Sequence, residues 1–231
     1  MLQELITEGC SRLVNEKDKK IGIYYISEAS KCVRQAYYSY FEKPKYGFEQ
    51  HKAFSIGNAL HELTQTIFML NNGNGIKVFN EVPNLTYYDE QTGLEIHGRL
   101  DTLLEKDGKQ HIIEIKTISN LKYSPIDEHF EQLNYYLRFY TGAEGHLFYI
   151  NKAKKSMYDE VYVDFKEIPK EGAEPITYNE ELFQHSLSRI RSLHSYCIKE
   201  EVPPPEAKQN SDMFWQCNFC PFIVKCNKEM V

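Results

Sequence analysis

The stretch Gly98-Arg99-Leu100-Asp101, followed by Lys106-Asp107-Gly108 and then Ile112-Ile113-Glu114-Ile115-Lys116, decides the fold. Asp-Gly between two apolar runs is a hairpin cue, so residues 94–105 and 110–117 read as antiparallel strands. Two carboxylates, Asp101 and Glu114, then stand on neighbouring strands. Successive side chains of a strand point to opposite faces, so Glu114 and Lys116 share one face and Ile113 and Ile115 the other. An acid and an amine therefore converge beside Asp101. Paired carboxylates with room for water suit a hard cation, Mg²⁺ or Mn²⁺. An adjacent lysine can orient an attacking water or steady the charge that develops on a phosphate. An isolated Glu-x-Lys on an alternating strand is ordinarily a surface ion pair, and its surroundings decide.

Working outward, another strand is expected over 76–87, entered from the turn Asn71-Asn72-Gly73-Asn74-Gly75. Helical spacing of apolar residues predicts helices over 2–15, from a Ser27 cap to Phe41, over 52–70, near 127–140 and over 179–200. Further strands fall near 145–151 and 157–165. Pro203-Pro204-Pro205 reads as a stiff linker into a cysteine-bearing tail. This order predicts an α/β domain with a mixed central sheet flanked by helices. Residues 1–231 are expected to form a single domain, with 48–200 as its core and 24–47 and 203–231 as a metal-cluster-binding part.

A chain of 231 residues with 42% hydrophobic and 26% charged residues can build a sizeable core, which excludes collagen-like and intrinsically disordered classes. Its net charge of −6 argues against coating nucleic acid by bulk charge, while leaving room for a local basic groove. Lys43, Lys45 and Tyr46, and Lys152, Lys154 and Lys155, are stretches that could track a phosphate backbone. No apolar run approaches the roughly 20 residues of a membrane span, and the opening residues do not resemble a signal peptide. A soluble, cytoplasmic protein with no membrane partner is expected. The nucleotide-binding pattern G-x-x-x-x-G-K-[ST] is missing, so any duplex unwinding would come from a partner.

Cys217-Asn218-Phe219-Cys220 and Cys226 give C-x2-C-x5-C. Three thiolates need a fourth ligand, and no second close pair offers a zinc-finger spacing. A 4Fe-4S cluster held by four thiolates fits better than zinc, with Cys10, Cys32 or Cys197 as the fourth.

His61 lies in Gly57-Asn58-Ala59-Leu60-His61-Glu62 on the helix before the strands, and Gln132-Leu133-Asn134-Tyr135-Tyr136 lies on the helix after them. With Gly98-x-x-Asp101 and Glu114-x-Lys116, this order resembles the RecB-type nucleases of the PD-(D/E)xK superfamily. One departure is that no proline precedes Asp101. The resemblance implies a restriction-endonuclease-like core. It also implies that His61, Asp101, Glu114 and the Ile115 carbonyl bind a divalent cation, that Lys116 is catalytic together with Asp101 and Glu114, and that Gln132 and Tyr136 line the DNA path. Ser27-Glu28-Ala29-Ser30-Lys31-Cys32-Val33-Arg34-Gln35-Ala36-Tyr37-Tyr38 resembles a segment of the iron–sulfur members, which selects Cys32 beside Cys217, Cys220 and Cys226. Such a cluster would join the N- and C-terminal segments.

Among such proteins the small stand-alone form is the CRISPR-associated exonuclease of the Cas-four type. The resemblance therefore implies a metal-dependent exonuclease of single-stranded DNA in CRISPR spacer acquisition or related DNA processing, with a CRISPR integrase complex or a helicase as partner. Two rival readings are a viral or repair recombination nuclease of the same chemistry and a non-catalytic DNA-binding module of a CRISPR adaptation complex.

Overall fold

The computed structural model describes residue 9 and residues 19–73, 75–118, 127–151, 164–169 and 173–229. The expected helix over 2–15, Gly9 apart, Cys10, and the basic stretch Lys152, Lys154 and Lys155 lie outside the described residues.

The strands are β1 (Ile23–Tyr25), β2 (Ile76–Asp89), β3 (Leu94–Lys106), β4 (Lys109–Ile118), β5 (Glu144–Asn151) and β6 (Asp164–Ile168). The helices are α1 (Val33–Phe41), α2 (Phe48–Met69), α3 (Asp127–Leu137), α4 (Glu180–Lys199) and the short α5 (Glu206–Gln209) and α6 (Ile223–Lys228). The described strands form one sheet in the order β1-β3-β4-β5-β6, with β2 also paired to β3. β3 and β4 are antiparallel, joined by Asp107 and Gly108 at φ 51° and 77°. Positive φ at both positions is what an Asp-Gly hairpin turn supplies. β4 and β5 are parallel, which a tight turn cannot connect, and the crossover carries α3. β5 and β6 are antiparallel. The mixed sheet flanked by helices matches the fold class read from the sequence.

The chain divides into two compact units. The second, Gly57–Thr86 with His97–Gln184, holds most of the sheet. On one face of β4, Ile113 and Ile115 pack with Ile150 of β5 against Leu60, Phe68, Leu104 and Phe148. On the other side, Gly98 of β3 admits α3 at close range: a Cβ there would lie 2.7 Å from ring carbons of both Tyr135 and Tyr136. Any larger residue would hold α3 off the strand.

The first unit comprises Met1–Ile56, Tyr87–Ile96 and His185–Val231. The buried Tyr24 hydroxyl pairs with His194 Nδ1 at 3.0 Å. Arg191 bonds both oxygens of the buried Asp89 at 2.6 and 2.9 Å, which holds that carboxyl down at about 2. Cys197 is buried.

Two boundaries depart from expectation. Residues 27–41 do not form one helix capped by Ser27. Ile26–Glu28 make a 3₁₀ turn, and α1 begins only at Val33. The reason is tertiary: the Cys32 amide donates to Gln216 Oε1 at 2.8 Å and the Val33 amide to Glu206 Oε2 at 3.3 Å, so the helix start is satisfied from the C-terminal segment. The strand expected over 157–165 lies mostly outside the described residues, and β6 extends beyond it to Ile168.

Candidate metal-binding active site

The hairpin register runs to the pair Thr102 and Ile113, and Asp101 and Glu114 are the next residues beyond it on their two strands. Asp101 Oδ2 accepts the Ile115 amide at 2.8 Å, which pins the carboxylate against β4. Helix α2 brings His61 Nε2 to 3.1 Å from the same oxygen. Gln65, one turn further along α2, donates to the Asp101 carbonyl at 2.9 Å. His61 is half-buried. Desolvation alone would lower its pKa, but the hydrogen bond and charge of Asp101, backed by Glu81 and Glu114, outweigh burial and raise it.

Glu114 is 1% exposed. Burial, reinforced by Asp101, pushes its carboxyl up to about 8. Its Oε1 accepts from Lys116 Nζ at 2.6 Å, while Oε2 is buried with no hydrogen-bond partner among the described residues. Lys116 Nζ also donates to Gln132 Oε1 at 2.7 Å. Gln132 Nε2 donates in turn to the Tyr136 hydroxyl at 3.0 Å. A continuous chain thus runs Glu114–Lys116–Gln132–Tyr136, and its last member packs against Gly98. Tyr136 is itself 1% exposed, so its contact is with Gln132 and not with the surface. His129, one turn before Gln132, meets the Tyr149 hydroxyl at 2.9 Å; burial, with the Lys116 charge, depresses it to about 3, so it stays neutral.

Sequence reasoning missed Glu81. One of its carboxylate oxygens lies within 4.8 Å of donor atoms of both His61 and Asp101, a compact group that could hold a metal ion. Gln65 Nε2 donates to Glu81 Oε1 at 2.8 Å, and Arg99 Nε lies 2.6 Å from Oε2. The residue sits in β2 at φ 53°, a left-handed conformation rare for a residue with a side chain. An acid inside a strand run carries no local cue. Only the pairing of β2 with β3 and the turned backbone reveal its place.

The structure places six of the sequence-derived site residues in two adjacent bonded sets, His61 with Asp101 and the Ile115 amide, and Glu114 with Lys116, Gln132 and Tyr136, which feel each other through charge. Lys43 and Lys45 are not part of it.

In the first unit, Cys32, Cys217, Cys220 and Cys226 line one cavity together with Arg34 and Gln216. Arg34 Nη1 approaches Cys226 Sγ at 3.8 Å, and its Nε donates to the Pro203 carbonyl at 2.5 Å. The proline segment is thereby fastened beside the thiols. Burial first, and then the neighbouring thiols, push Cys220 up to about 11. Among the described residues these sulfurs do not form a group within 4.8 Å of one another. No helix of the described residues is long and apolar enough to cross a membrane.

Three comparisons bear on this geometry. The CRISPR-associated exonuclease Cas4 of Saccharolobus solfataricus is 28% identical over 134 residues, which are 57% of this chain and 52% of that protein. The match spans about half the length of that curated relative. The crystal structure of SSO0001 superposes with a TM-score of 0.61 at 23% identity, covering 97% of this chain and 95% of that one, a likeness of fold. The model of the PD-(D/E)XK nuclease superfamily matches residues 74–227, a segment that contains Asp101, Glu114, Lys116 and Gln132. By that match over most of its length, the chain belongs to the PD-(D/E)XK nuclease superfamily.

Proposed function

We propose that this protein is a divalent-metal-dependent DNA exonuclease that degrades single strands and serves CRISPR spacer acquisition or related DNA processing. The observation that carries the reading is the approach of His61, Asp101, Glu114 and Lys116 at the β3–β4 hairpin, with Glu114 Oε2 buried and unpartnered among the described residues. A buried carboxylate oxygen left without a donor is costly, and a cation satisfies it. The donor set of one imidazole, carboxylates and a backbone carbonyl suits Mg²⁺ or Mn²⁺. His61, Asp101, Glu114 and the Ile115 carbonyl would hold the ion, with Glu81 in reach.

When bound, the cation supplies Lewis-acid polarisation of the phosphoryl oxygens and a nucleophilic water at neutral pH. The protein supplies position. Among the described residues, two of the three N–H donors of Lys116 are held by Glu114 and Gln132, and the third is left to meet the water or a phosphate oxygen. The water oxygen bonds to phosphorus and gives up a proton to solvent as the P–O ester bond opposite it breaks, and the leaving oxygen takes up a proton from solvent, so that one water is consumed per bond cut. Tyr136, bonded to Gln132, is read as a positioning residue, and Gln132 as the member of that pair that meets DNA.

Cys32, Cys217, Cys220 and Cys226 are proposed to hold a 4Fe-4S cluster. A single tetrahedral zinc with bonds near 2.3 Å would draw its sulfurs to about 3.8 Å from one another. The meeting of Cys32 with the three cysteines of the C-x2-C-x5-C tail in one cavity supports a group held by four thiolates. The CRISPR assignment is supported by the name of the relative matched over half its length.

The test uses 5′- and 3′-labelled linear single strands beside a circular single strand, with Mn²⁺ or with EDTA. Shortening of linear strands in Mn²⁺ alone is expected. Cleavage of circles at the same rate would refute exonuclease action, and cleavage in EDTA would refute metal dependence.

A further inference from the structure

We propose a second metal site, at the start of β4 and β5, in which His111, Glu144 and His146 bind a transition-metal ion of the Zn²⁺ type. The parallel register pairs His111 with Glu144 and Ile113 with His146, so all three side chains rise on one face of the sheet. That face carries Ile113 and Ile115, opposite the one bearing Glu114 and Lys116. The site is therefore separate from the nuclease constellation, and the inference does not rest on the nuclease reading.

His111 Nδ1 lies 3.1 Å from His146 Nε2 and 3.5 Å from Glu144 Oε2, and the three donor atoms all fall within 4.8 Å of one another. Bonds of 2.0–2.1 Å to a tetrahedral zinc place neighbouring ligand atoms about 3.3 Å apart. The two short edges bracket that value.

The surroundings add an independent indication. His146 Nδ1 meets Glu167 Oε1 of β6 at 3.0 Å, which fixes the proton on Nδ1 and turns the Nε2 lone pair toward His111. A carboxylate behind a ligating histidine is the usual outer support of a metal. Lys109 bonds Glu144 Oε1 at 2.7 Å, so Oε2 alone faces the histidines. A simple His111–His146 hydrogen bond explains less: one Nδ1 proton would have to be shared between His146 Nε2 and Glu144 Oε2, whereas a cation engages all three lone pairs. The side chains of His111, Glu144 and His146 are 21, 23 and 18% exposed, which leaves a path of entry. Two imidazoles favour zinc-type ions over Mg²⁺.

The test titrates the EDTA-treated full chain with Zn²⁺ by calorimetry and with Co²⁺ by visible absorption. His146→Ala and His111→Asn are each expected to bind one equivalent fewer than wild type and to lose a tetrahedral Co²⁺ band without thiolate character. Glu167→Gln should weaken that equivalent about 10- to 100-fold. Zn²⁺ at a hundredfold excess over Kd should raise the wild-type Tm by about 5–10 °C more than that of either variant. Equal stoichiometry in wild type and variants would overturn the site. Should His146→Ala fail to fold, Glu144→Gln with His111→Asn decides the question in the same way.

Discussion

Gly98→Ala perturbs the seating of α3 without touching a proposed ligand. The added Cβ would meet ring carbons of Tyr135 and Tyr136 at 2.7 Å, where ordinary contact begins at 3.4 Å, so the helix must retreat by roughly 0.7 Å. Overpacking of this kind costs about 1–3 kcal/mol, or about 2–12 °C of Tm in a chain of this size. The catalytic consequence is larger in proportion. Tyr136 holds Gln132, Gln132 holds Lys116, and a displacement near 1 Å in a positioned group costs about 100-fold in rate. Cleavage should therefore fall about 10- to 100-fold at a temperature where wild type and variant are both folded, the loss appearing in kcat. A variant with wild-type Tm and wild-type kcat would refute the reasoning from Gly98 to Lys116.

Lys116→Ala should slow cleavage by at least about 100-fold while far-UV circular dichroism stays near wild type, and the loss of the donor to buried Glu114 should lower Tm by only about 2–12 °C, leaving the protein folded at assay temperature. In metal-free protein, Glu114 is protonated below about 8 when folded and near 4.5 when unfolded, so the folded state binds more protons between those values. The Tm of EDTA-treated wild type should accordingly fall as pH rises from about 4.5 to 8, and Glu114→Gln should flatten that slope. Cys32→Ala and Cys220→Ala should each lose the iron of anaerobically purified protein, about four atoms per chain, together with solubility and Tm, whereas Cys197→Ser keeps the iron. Iron retained in Cys32→Ala would remove that residue from the ligand set.

What was legible in the sequence followed from short-range rules. Asp107-Gly108 set the hairpin, and strand alternation by itself puts Glu114 and Lys116 on the face opposite Ile113 and Ile115. Gly98 was visible as a motif residue, but its reason was not, because the rings it admits are more than 30 residues away. Glu81 stayed hidden since its role depends on strand pairing and on a backbone conformation that no neighbouring residue announces. The start of α1 escaped for a related reason. Its first amides are satisfied by Gln216 and Glu206, so a local capping rule pointed to Ser27 wrongly. Tyr136, expected to line the DNA path, is buried and bonded to Gln132, a placement that only the packing of α3 on Gly98 makes plain.

The most direct test of the central claim is the cleavage rate of Asp101→Ala beside wild type on end-labelled single-stranded DNA in Mn²⁺. Asp101 is the carboxylate that meets both His61 and the Ile115 amide. Its removal is predicted to abolish cleavage in a protein that remains folded; cleavage by Asp101→Ala near the wild-type rate would contradict the assigned site.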